Sequence, residues 1–411
     1  MTKLEIQHQQ LNREVVESSV NTECPDNFKG RGIVTCAGGE EYFPPAYVMI
    51  SMLRKHGCDL PVQIWYLGEK ELSVPMKKLA SELDNVELVD AYKVAEKDPM
   101  RKLGGWECKV FSIMNSPFQE VMFIDGDNVP VRNPEFLFYT PRYKKTGSLF
   151  WPDYNKLGRA RKIWDICGVE YKKESEFESG QMVINKKVCW DALLVCRHLN
   201  EYSDFYYEDK RKTKGYIWGD KETFHMAWRM VDREYGMITK KIQKIPYTMV
   251  QHCPSNKPLF QHRNLAKFTF TDYVPSIPGF KYEDECFELL DHVRDVWFSG
   301  GGEKGKKGNR IFIKDPTLRK THRDIVTQGH YIFKKLGGHK RNITLTHDMK
   351  IGLGKSASEN RWALSKEAGG VVMDLYGENG RSYRLKYQYG GTWTGNSVKG
   401  PGRIQLKPTR R

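Results

Sequence analysis

Two aspartates separated by one glycine follow four apolar residues in the stretch Val-Met-Phe-Ile-Asp-Gly-Asp-Asn-Val-Pro-Val, residues 121–131. An apolar run of this kind is typical of a strand that is buried on both faces. Two carboxylates at the end of such a strand are costly to bury without a partner. A hard divalent cation such as Mg²⁺ or Mn²⁺ prefers oxygen ligands and often also holds substrate phosphates. Asp125 and Asp127 therefore predict a metal site that binds a phosphate group.

The segments around this motif alternate between strand and helix patterns. Strand patterns occupy residues 32–36, 62–67, 86–89, 121–124 and 180–185, and helix patterns occupy residues 47–53, 74–83, 107–114 and 186–199. This alternation predicts an α/β fold with a mainly parallel sheet and helices on both faces. Ligands in such folds bind at the carboxyl ends of the strands. Asp125, Asp127 and the small-residue loop at residues 35–39 fall at that edge.

The charge of the chain is distributed unevenly. The formal net charge is +15, yet residues 301–411 hold 24 Lys and Arg against 8 Asp and Glu. Two modules with different partners are the simplest interpretation. The predicted division is a polar, poorly ordered N-terminal extension (1–28), a catalytic domain (29–299), a Gly/Lys linker (300–310) and a basic accessory domain (311–411).

The basic domain combines one helix pattern with several short strands. Residues 318–336 predict a short helix, and the strands after it alternate apolar and polar residues between glycine-containing turns. This pattern predicts a small antiparallel β-rich domain, either a sandwich or a barrel.

Several classes of protein are disfavoured by composition. The chain is 39% hydrophobic and 28% charged, as in soluble globular proteins, and it contains no apolar run long enough to span a bilayer. Its first residues lack the apolar core of a signal peptide. The nine cysteines form no Cys-x-x-Cys pair, which indicates reduced thiols. We therefore expect a cytoplasmic protein, with any contact at a membrane being peripheral.

Five segments, in order, carry a resemblance to a known family. They are a helix with Trp106 and Lys109, the stretch Phe-Ile-Asp-Gly-Asp-Asn-Val-Pro-Val-Arg-Asn-Pro-Glu-Phe-Leu-Phe (123–138), and residues 177–185, 219–224 and 260–267. Together with the opening βα unit, they resemble the nucleotide-sugar glycosyltransferases of the GT-A fold over residues 30–270. The chain is most similar to the fungal-type α-mannosyltransferases that use GDP-mannose, and more distantly similar to the glycogenin-like retaining transferases.

The resemblance implies a metal-dependent and retaining sugar transfer. The donor would be a nucleotide-diphosphate sugar, with GDP-mannose favoured and a UDP-sugar open, and the acceptor would be a glycan or a glycolipid. By resemblance Asp127 binds Mn²⁺ or Mg²⁺ directly, and Asp125 contacts the metal, the donor ribose or both. His262 is the implied third ligand, because neutral imidazole suits Mn²⁺. Lys267 would neutralise a phosphate as a point charge.

The remaining implied site residues contact the donor or the acceptor. The residues assigned to donor binding are Thr35, Cys36, Ala37, Lys109, Gly126 and Gly180. Asp220, Glu178 and Gln181 are assigned to the sugar and acceptor side, with Asp220 as a donor-sugar or catalytic carboxylate. If the enzyme inverted instead, Asp220 or Glu222 would be the general base that deprotonates the acceptor.

Simpler interpretations stand beside these assignments. Asp125 and Asp127 could form an ordinary turn, and Asp220 could only cap a helix. His262 could be a hydrogen-bonded histidine without a ligand, Gly180 could only mark close packing, and Lys109 could be solvated on its helix.

Other enzyme classes share parts of the pattern. Asp-x-Asp also ends a strand in aspartate-nucleophile phosphohydrolases, but there it usually lies on the first strand of the domain. Sugar nucleotidyltransferases need a basic glycine-rich loop after the first strand, whereas residues 35–41 here are acidic. Binding of nucleic acid by the basic, aromatic tail would leave the first 300 residues unexplained.

The basic tail has three sensible roles. It could hold the enzyme at an anionic membrane surface, where each nearby Lys or Arg contributes about 1 kcal/mol. It could bind a growing glycan through its aromatic side chains, or it could only cover the catalytic domain.

Overall fold

The computed structural model describes residues 1–208, 216–270, 274, 276–299, 313, 315–347, 349–398 and 400–409. The chain forms two compact units, one of residues 1–269 and 279–300 and the other of residues 270–278 and 301–411. The segment predicted to be a Gly/Lys linker, 300–310, lies outside the described residues. The domain boundaries proposed from the sequence stay predictions.

The first unit is built on a seven-stranded sheet. Its strands are β1 (Arg31–Cys36), β2 (Val62–Tyr66), β3 (Val86–Asp90), β4 (Glu120–Ile124), β6 (Ser148–Pro152), β7 (Phe177–Asn185) and β8 (Gly236–Met237). They lie in the order β3-β2-β1-β4-β7-β6-β8. Four of the six neighbouring pairs are parallel, and β7 runs antiparallel to both β4 and β6. The predicted α/β fold with a mainly parallel sheet is confirmed.

A second, four-stranded sheet lies in the same unit. Its strands are β5 (Asn128–Pro130), β9 (Gln243–Ile245), β10 (Thr248–His252) and β11 (Pro258–His262). They pair in the order β5-β11-β10-β9, and all three pairs are antiparallel. Because β5 begins right after the Asp-x-Asp segment, this small sheet receives the chain at the point where β4 ends.

Eleven α-helices are described in the first unit. They are α1 (Lys3–Ser19), α2 (Gly39–Lys55), α3 (Val74–Ala80), α4 (Ala91–Ala95), α5 (Glu107–Asn115), α6 (Pro141–Thr146), α7 (Ile163–Cys167), α8 (Lys186–Glu201), α9 (Ser203–Tyr206), α10 (Lys221–Met230) and α11 (Glu283–Ser299). A 3₁₀ helix spans Glu135–Tyr139.

The large sheet is covered on both faces. Val34 and Phe123 belong to one apolar core with residues of α5, α8 and α10. Ile33 and Met122 alternate with them along β1 and β4, so they point to the opposite face, and both are fully buried. Burial on both faces explains why these strands read as continuous apolar runs in the sequence.

The N-terminal segment is helical, so the prediction that residues 1–28 are poorly ordered is wrong. Thr2 and Glu5 form a capping box that starts α1. Asn12 is buried, donates from Nδ2 to the Ile166 carbonyl at 3.0 Å, and accepts from the Tyr206 hydroxyl at 2.9 Å. Because α1 is polar in composition, its sequence does not reveal the face that packs on the domain. That face docks through hydrogen bonds more than through apolar contact.

The second unit is a helix followed by an antiparallel sheet. The helix α12 spans Pro316–Gln328, and the strands are β12 (His330–Lys335), β13 (Lys340–Thr344), β14 (Arg361–Glu367), β15 (Gly370–Gly377), β16 (Gly380–Tyr387), β17 (Trp393–Ser397) and β18 (Arg403–Pro408). A short 3₁₀ helix spans Tyr389–Gly391. The strand order is β13-β12-β18-β17-β16-β15-β14. The predicted antiparallel β-rich unit is confirmed, but the helix predicted to continue to residue 336 ends at Gln328 and gives way to β12.

Bridges join the two edges of this sheet. Leu345 pairs with Ile351, and Lys350 pairs with Arg361 at the start of β14. The segment after β13 therefore connects both edge strands, which protects edges that would otherwise pair with other chains. Trp362, Trp393 and Leu406 lie in an apolar core of this unit.

Two predictions from composition can be compared with the whole structure. All nine cysteines are free thiols, as predicted. Among the described residues, no helix combines the length and the apolar character that a bilayer span requires.

Asn12→Ala should destabilise the chain by about 1–3 kcal/mol, because it leaves the buried Tyr206 hydroxyl and the Ile166 carbonyl without their partner. The midpoint of denaturant unfolding, followed by tryptophan fluorescence, measures this change. Gln10→Ala is the matched control, since Gln10 is exposed on the same helix and bonds only to Glu14. If Asn12→Ala unfolds at the same denaturant concentration as Gln10→Ala, the docking of α1 is wrong.

Candidate active site

The Asp-x-Asp segment is a tight turn that is fixed on both sides. The Asp125 N–H donates to the Gly180 carbonyl at 2.8 Å, and the Asn128 N–H donates to the Asp125 carbonyl at 3.0 Å. A Cβ at Gly126 would lie 3.0 Å from the Cβ of Ala46 on α2, so the turn passes close to that helix. The two carboxylates are therefore held by backbone contacts at the carboxyl end of β4.

His262 reaches this turn through strand pairing. In the small sheet His262 of β11 stands opposite Asn128 of β5. Its Nε2 lies 3.0 Å from Asp127 Oδ1 and 3.9 Å from Asp125 Oδ2. One ligand atom from each of Asp125, Asp127 and His262 lies within 4.8 Å of the others. The three residues assigned to the metal thus form one cluster, although His262 follows Asp127 by 135 positions in the sequence.

Two lysines flank the carboxylates from different directions. Lys109 of α5 is buried, and its Nζ lies 3.0 Å from Asp125 Oδ2 and 3.1 Å from Ser179 Oγ. Burial disfavours the charge of Lys109, but Asp125 and Asp220 outweigh it and raise its pKa. Lys267 forms an ion pair with Asp127 and stays about one-third exposed. Each aspartate of the motif is therefore paired with a different lysine. Lys109 is not solvated on its helix.

Glu178 and Gly180 lie behind His262 on β7. Glu178 Oε1 accepts the Gly180 N–H at 2.9 Å and lies 3.4 Å from His262 Nδ1. Burial opposes the ionisation of Glu178, but His262 and Lys109 outweigh it and lower its pKa. Burial likewise opposes the charge of His262, while Asp127 and Glu178 raise the pKa of His262 to about 10. Glu178 therefore orients the imidazole and does not itself face an open cavity.

Asp220 stands at the N-terminus of α10 and is 5% exposed. Its Oδ2 lies 3.6 Å from Lys109 Nζ and has no hydrogen-bond partner within the described part of the chain. Burial raises the pKa of Asp220, and the Lys109 charge only partly offsets that effect. Its side chain makes no capping hydrogen bond to the helix. Asp220 is thus brought next to the Asp125–Lys109 pair, as an acidic group with unused hydrogen-bonding capacity.

Two of the residues considered for catalysis have structural contacts instead. Gln181 is fully buried, and its Oε1 accepts from Asn128 Nδ2 at 2.5 Å, which braces the turn after Asp127. Glu222 is fully buried too, and it accepts the Phe177 N–H at 2.8 Å and faces His225 Nδ1 at 2.8 Å. Both Glu222 oxygens are taken up by these partners, whereas Gln181 Nε2 has no hydrogen-bond partner within the described residues. The general-base role for Glu222 is therefore not supported by its surroundings.

A cavity of about 410 Å³ opens beside the cluster. Of the residues predicted to bind donor or metal, seven line it: Cys36, Ala37, Lys109, Asp125, Gly126, Asp127 and Lys267. Thr35 is fully buried on β1 and is not among the lining residues. Gly180, Glu178, Gln181, Asp220 and His262 are not among the lining residues either.

Other lining residues were not predicted as site residues. Tyr42, Trp65, Glu71, Trp106 and Glu208 line the cavity. Glu71 follows the carboxyl end of β2, so the rule that ligands bind at such ends could have identified it. Glu208 offers no comparable signal, because its position depends on how α9 packs.

The loop that carries Lys267 is held by a buried arginine. Arg263 is fully buried, its N–H donates to the Asp127 carbonyl at 2.9 Å, and its Nε donates to the Ala266 carbonyl at 2.6 Å. Its guanidinium lies 4.2 Å from the centre of the Phe268 ring and 3.1 Å from Glu283 Oε1. These contacts connect the loop to the backbone of Asp127, and they place Lys267 at the cluster.

The sequence model of a family described as "Mannosyltransferase putative" matches residues 30–177 and 168–264 of the chain. These segments make up more than half of its length. The chain belongs to this mannosyltransferase family. The predicted family resemblance is thereby confirmed. The predicted GT-A fold class is confirmed with it, and the sheet topology described above agrees with that class.

Individual members are similar at low identity. The α-1,2-mannosyltransferase MNN24 of Candida albicans is 26% identical over 276 residues, which cover 56% of this chain and 38% of that protein. The α-1,2-mannosyltransferase MNN5 of Saccharomyces cerevisiae (strain S288c) is 27% identical over 264 residues, which cover 51% of this chain and 45% of that protein. The chain thus spans less than half the length of these curated relatives.

Solved structures of glycosyltransferases are similar to the chain as well. The bifunctional glycosyltransferase WbbM is 15% identical, with a TM-score of 0.38 over 53% of this chain and 40% of WbbM. The galactosyltransferase LgtC, solved with donor and acceptor sugar analogs, is 13% identical, with a TM-score of 0.33 over 48% of this chain and 70% of LgtC.

The chemistry of the cluster fits a divalent cation in a member of this family. Two carboxylate oxygens and one imidazole nitrogen are a donor set suited to Mn²⁺, and Mg²⁺ accepts the oxygens equally well. Glu178 lies behind His262 at its other ring nitrogen. A carboxylate in that position commonly fixes the tautomer and orientation of a metal-binding histidine.

Gly180→Ala should weaken Mn²⁺ binding by about 10- to 100-fold, because its Cβ would lie 2.6 Å from the His262 ring and displace the imidazole. Isothermal titration of the chain with MnCl₂ measures the change. Gly158→Ala is the matched control, since its added Cβ meets only Arg161 at 3.9 Å. Equal Mn²⁺ affinity of the two variants would show that His262 is not a ligand.

A buried charge network holds α10, and with it Asp220, against β7. His225 is 1% exposed and lies between Glu222 and Glu174, with Nε2 2.6 Å from Glu174 Oε1. Burial disfavours the charged imidazole, but the two carboxylates outweigh it and raise the pKa of His225. Burial also opposes the ionisation of Glu174, and its bond to His225 lowers the pKa of Glu174 to about 2.

His225→Gln should therefore destabilise the chain more at about pH 6 than at about pH 9. The pKa of His225 is raised by folding, so its charge stabilises the fold fully below the ordinary value of 6.5 and loses that effect as the pH rises through the raised value. Removing the cation between the buried Glu222 and the partly buried Glu174 should cost roughly 3 kcal/mol at the lower pH. Denaturant unfolding at both pH values, with exposed His339→Gln as control, measures the difference. A pH-independent loss would indicate a neutral His225.

Proposed function

We propose that the chain is a metal-dependent mannosyltransferase that uses GDP-mannose as donor and a glycan or glycolipid as acceptor, with retention of anomeric configuration. The observation that supports this most is the cluster of Asp125, Asp127 and His262 at the edge of the sheet, with Lys109 and Lys267 beside it. The cavity next to the cluster has the size of a small-ligand site. Membership of the mannosyltransferase family favours the sugar and the reaction class.

Asp125, Asp127 and His262 would hold Mn²⁺ or Mg²⁺. A cation bound there would act as a Lewis acid that compensates the charge of the leaving nucleoside diphosphate. Lys267 lines the cavity and is partly exposed, so it can neutralise a diphosphate oxygen as a point charge. Lys109 fixes Asp125 in a position where one carboxylate oxygen remains for the cation or a ribose hydroxyl.

Asp220 is the carboxylate best placed to act on the transferred sugar. It is buried next to Lys109, and that lysine is also bonded to Asp125. A negative charge at this point would stabilise an oxocarbenium-like centre, as carboxylates do in glycosidases. Asp220 can also accept a hydrogen bond from a sugar hydroxyl through Oδ2. Glu178 and Gln181 act through other residues, His262 and Asn128 respectively.

A UDP-sugar is the second candidate donor. The identity of the transferred sugar and the identity of the nucleotide base are separate parts of the proposal. Contact of the basic second unit with anionic membranes or with a growing glycan stays a prediction from its charge and aromatic content.

The decisive measurement is hydrolysis and transfer across a panel of GDP- and UDP-sugars, with Mn²⁺ and with a chelator. We expect turnover of GDP-mannose that requires the metal, and ¹H NMR of the first product formed should show the α-anomer. Asp127→Asn should lower turnover by more than about 100-fold, because even partners behind a metal ligand cost about 10- to 100-fold. Asp26→Asn is the control, since the Asp26 side chain is 94% exposed.

Different failures would overturn different parts of this proposal. Turnover that survives the chelator or Asp127→Asn would exclude the metal mechanism. Turnover of UDP-sugars alone would exclude GDP-mannose as donor, and a β-anomer would exclude retention. Release of phosphate from simple phosphate esters, without use of any sugar nucleotide, would exclude glycosyl transfer.

A further inference from the structure

A carboxylate outside the Asp125–Asp127 cluster lines the cavity from the loop that follows β2. Glu71 is a lining residue, and its Oε2 accepts the Leu67 N–H at 2.7 Å. The backbone around it is fixed too, because the Gly39 N–H donates to the Glu71 carbonyl at 2.9 Å. A Cβ at Gly38 would lie 2.7 Å from the Glu71 Cβ, so the close packing requires glycine there. The carboxylate is thus held in one place at the cavity wall.

This carboxylate is at the far end of the cavity from the metal cluster. Glu71 follows β2, whereas Asp125 and Asp127 follow β4, and β1 lies between those strands. Two strand spacings separate the two ends by about 10 Å. A diphosphate at Lys267 and the cluster would therefore place a ribose between itself and Glu71. The group that reaches Glu71 would be the base.

The same cavity offers an aromatic surface. Trp106 lines it and is about half exposed, whereas Trp65, which also lines it, is only 1% exposed. A planar base can stack on an exposed side chain such as Trp106. A ligand that covered the Glu71 carboxylate would have to supply N–H donors to it, because a desolvated charge without partners is costly.

We propose that Glu71 selects guanine as the base of the nucleoside diphosphate, by accepting the N1–H and the exocyclic N2–H of the same guanine edge. This inference rests on the proposed function and concerns the base alone. Two parallel N–H···O⁻ bonds to one carboxylate are short and charge-assisted, so they discriminate strongly. Each carboxylate oxygen can accept more than one hydrogen bond, so the bond from Leu67 does not exhaust Glu71.

Other bases lack this pair of donors. Uracil has one ring N–H between two carbonyl oxygens, and those oxygens would face the carboxylate. Hypoxanthine keeps the ring N–H of guanine but has no exocyclic amine. Glu71 therefore predicts the affinity order GDP, then IDP, then UDP. A carboxylate that bound ribose hydroxyls instead would treat the three nucleotides alike.

The test is isothermal titration of the full chain with GDP, IDP and UDP in the presence of Mn²⁺. Glu71→Gln should lower the affinity for GDP by about 10- to 100-fold, because the amide replaces one acceptor by a donor. The affinity for UDP should stay within about threefold or rise. The amide oxygen can still accept the Leu67 N–H, so thermal unfolding of this variant should match that of the wild type.

Two controls separate base reading from other effects. Glu69→Gln changes an exposed carboxylate on the same loop, paired only with Lys93, and should leave all three affinities unchanged. Glu208→Gln removes a different negative charge from the cavity wall, so it should change the GDP and UDP affinities by the same factor.

The outcomes distinguish this inference from the proposed function. If Glu71→Gln loses affinity for GDP and UDP by the same factor, so that the ratio of the two affinities is unchanged, base selection by Glu71 is overturned. The chain would still be a nucleotide-binding enzyme. A wild-type chain that binds none of the three nucleotides with Mn²⁺ would overturn the proposed function, and this inference with it. A preference of the wild type for UDP would overturn the inference and count against GDP-mannose as the donor, but it would leave metal-dependent glycosyl transfer standing.

Discussion

The antiparallel pairing of β5 with β11 is the constraint on which the candidate site depends. It places His262 opposite Asn128, one residue after Asp127, so that an imidazole and a carboxylate 135 positions apart come within hydrogen-bonding distance. The pairing continues into the loop beyond β11, where the Arg263 N–H donates to the Asp127 carbonyl. Both basic residues next to Asp127, His262 and Lys267, therefore come from β11 and the loop that follows it. A change of one residue in this register would turn the His262 side chain to the other face of the small sheet.

A second requirement is the balance of buried charge around that pairing. Asp127, Glu178 and Asp220 are each less than one-tenth exposed. Lys109, His262 and Lys267 lie among them, and each contacts at least one of these carboxylates. Burial works against every one of these charges, so their arrangement is stable only while partners remain paired. This explains why residues that never touch the cavity, such as Glu178 and Arg263, contribute to the geometry of those that do.

The sequence predicts the parts of this site that depend on local pattern. The apolar run before Asp125 identifies β4 because a strand buried on both faces has few polar residues, and the rule for carboxyl ends of strands then places Asp125 and Asp127 correctly at the sheet edge. Contacts between distant segments are less visible. Gln181 stays a predicted site residue, but the motif around it does not reveal that its oxygen accepts from Asn128. Glu71 and Glu208 belong to no sequence motif that marks them as site residues. The sequence of α1 is too polar to indicate packing, because this helix docks through hydrogen bonds of Asn12.

The two ends of the cavity are supported by different kinds of structure. The cluster end is made of residues at strand ends and in turns bonded to neighbouring strands, such as the Asp125 N–H to the Gly180 carbonyl. The other end is made of loops and helix starts, including the segment with Gly38 and the loop with Glu71. Loops tolerate substitution more readily than paired strands do. The Glu71 end can therefore change in sequence without altering the cluster end, because no described residue of the Glu71 end contributes a hydrogen bond to the Asp125–Asp127 turn.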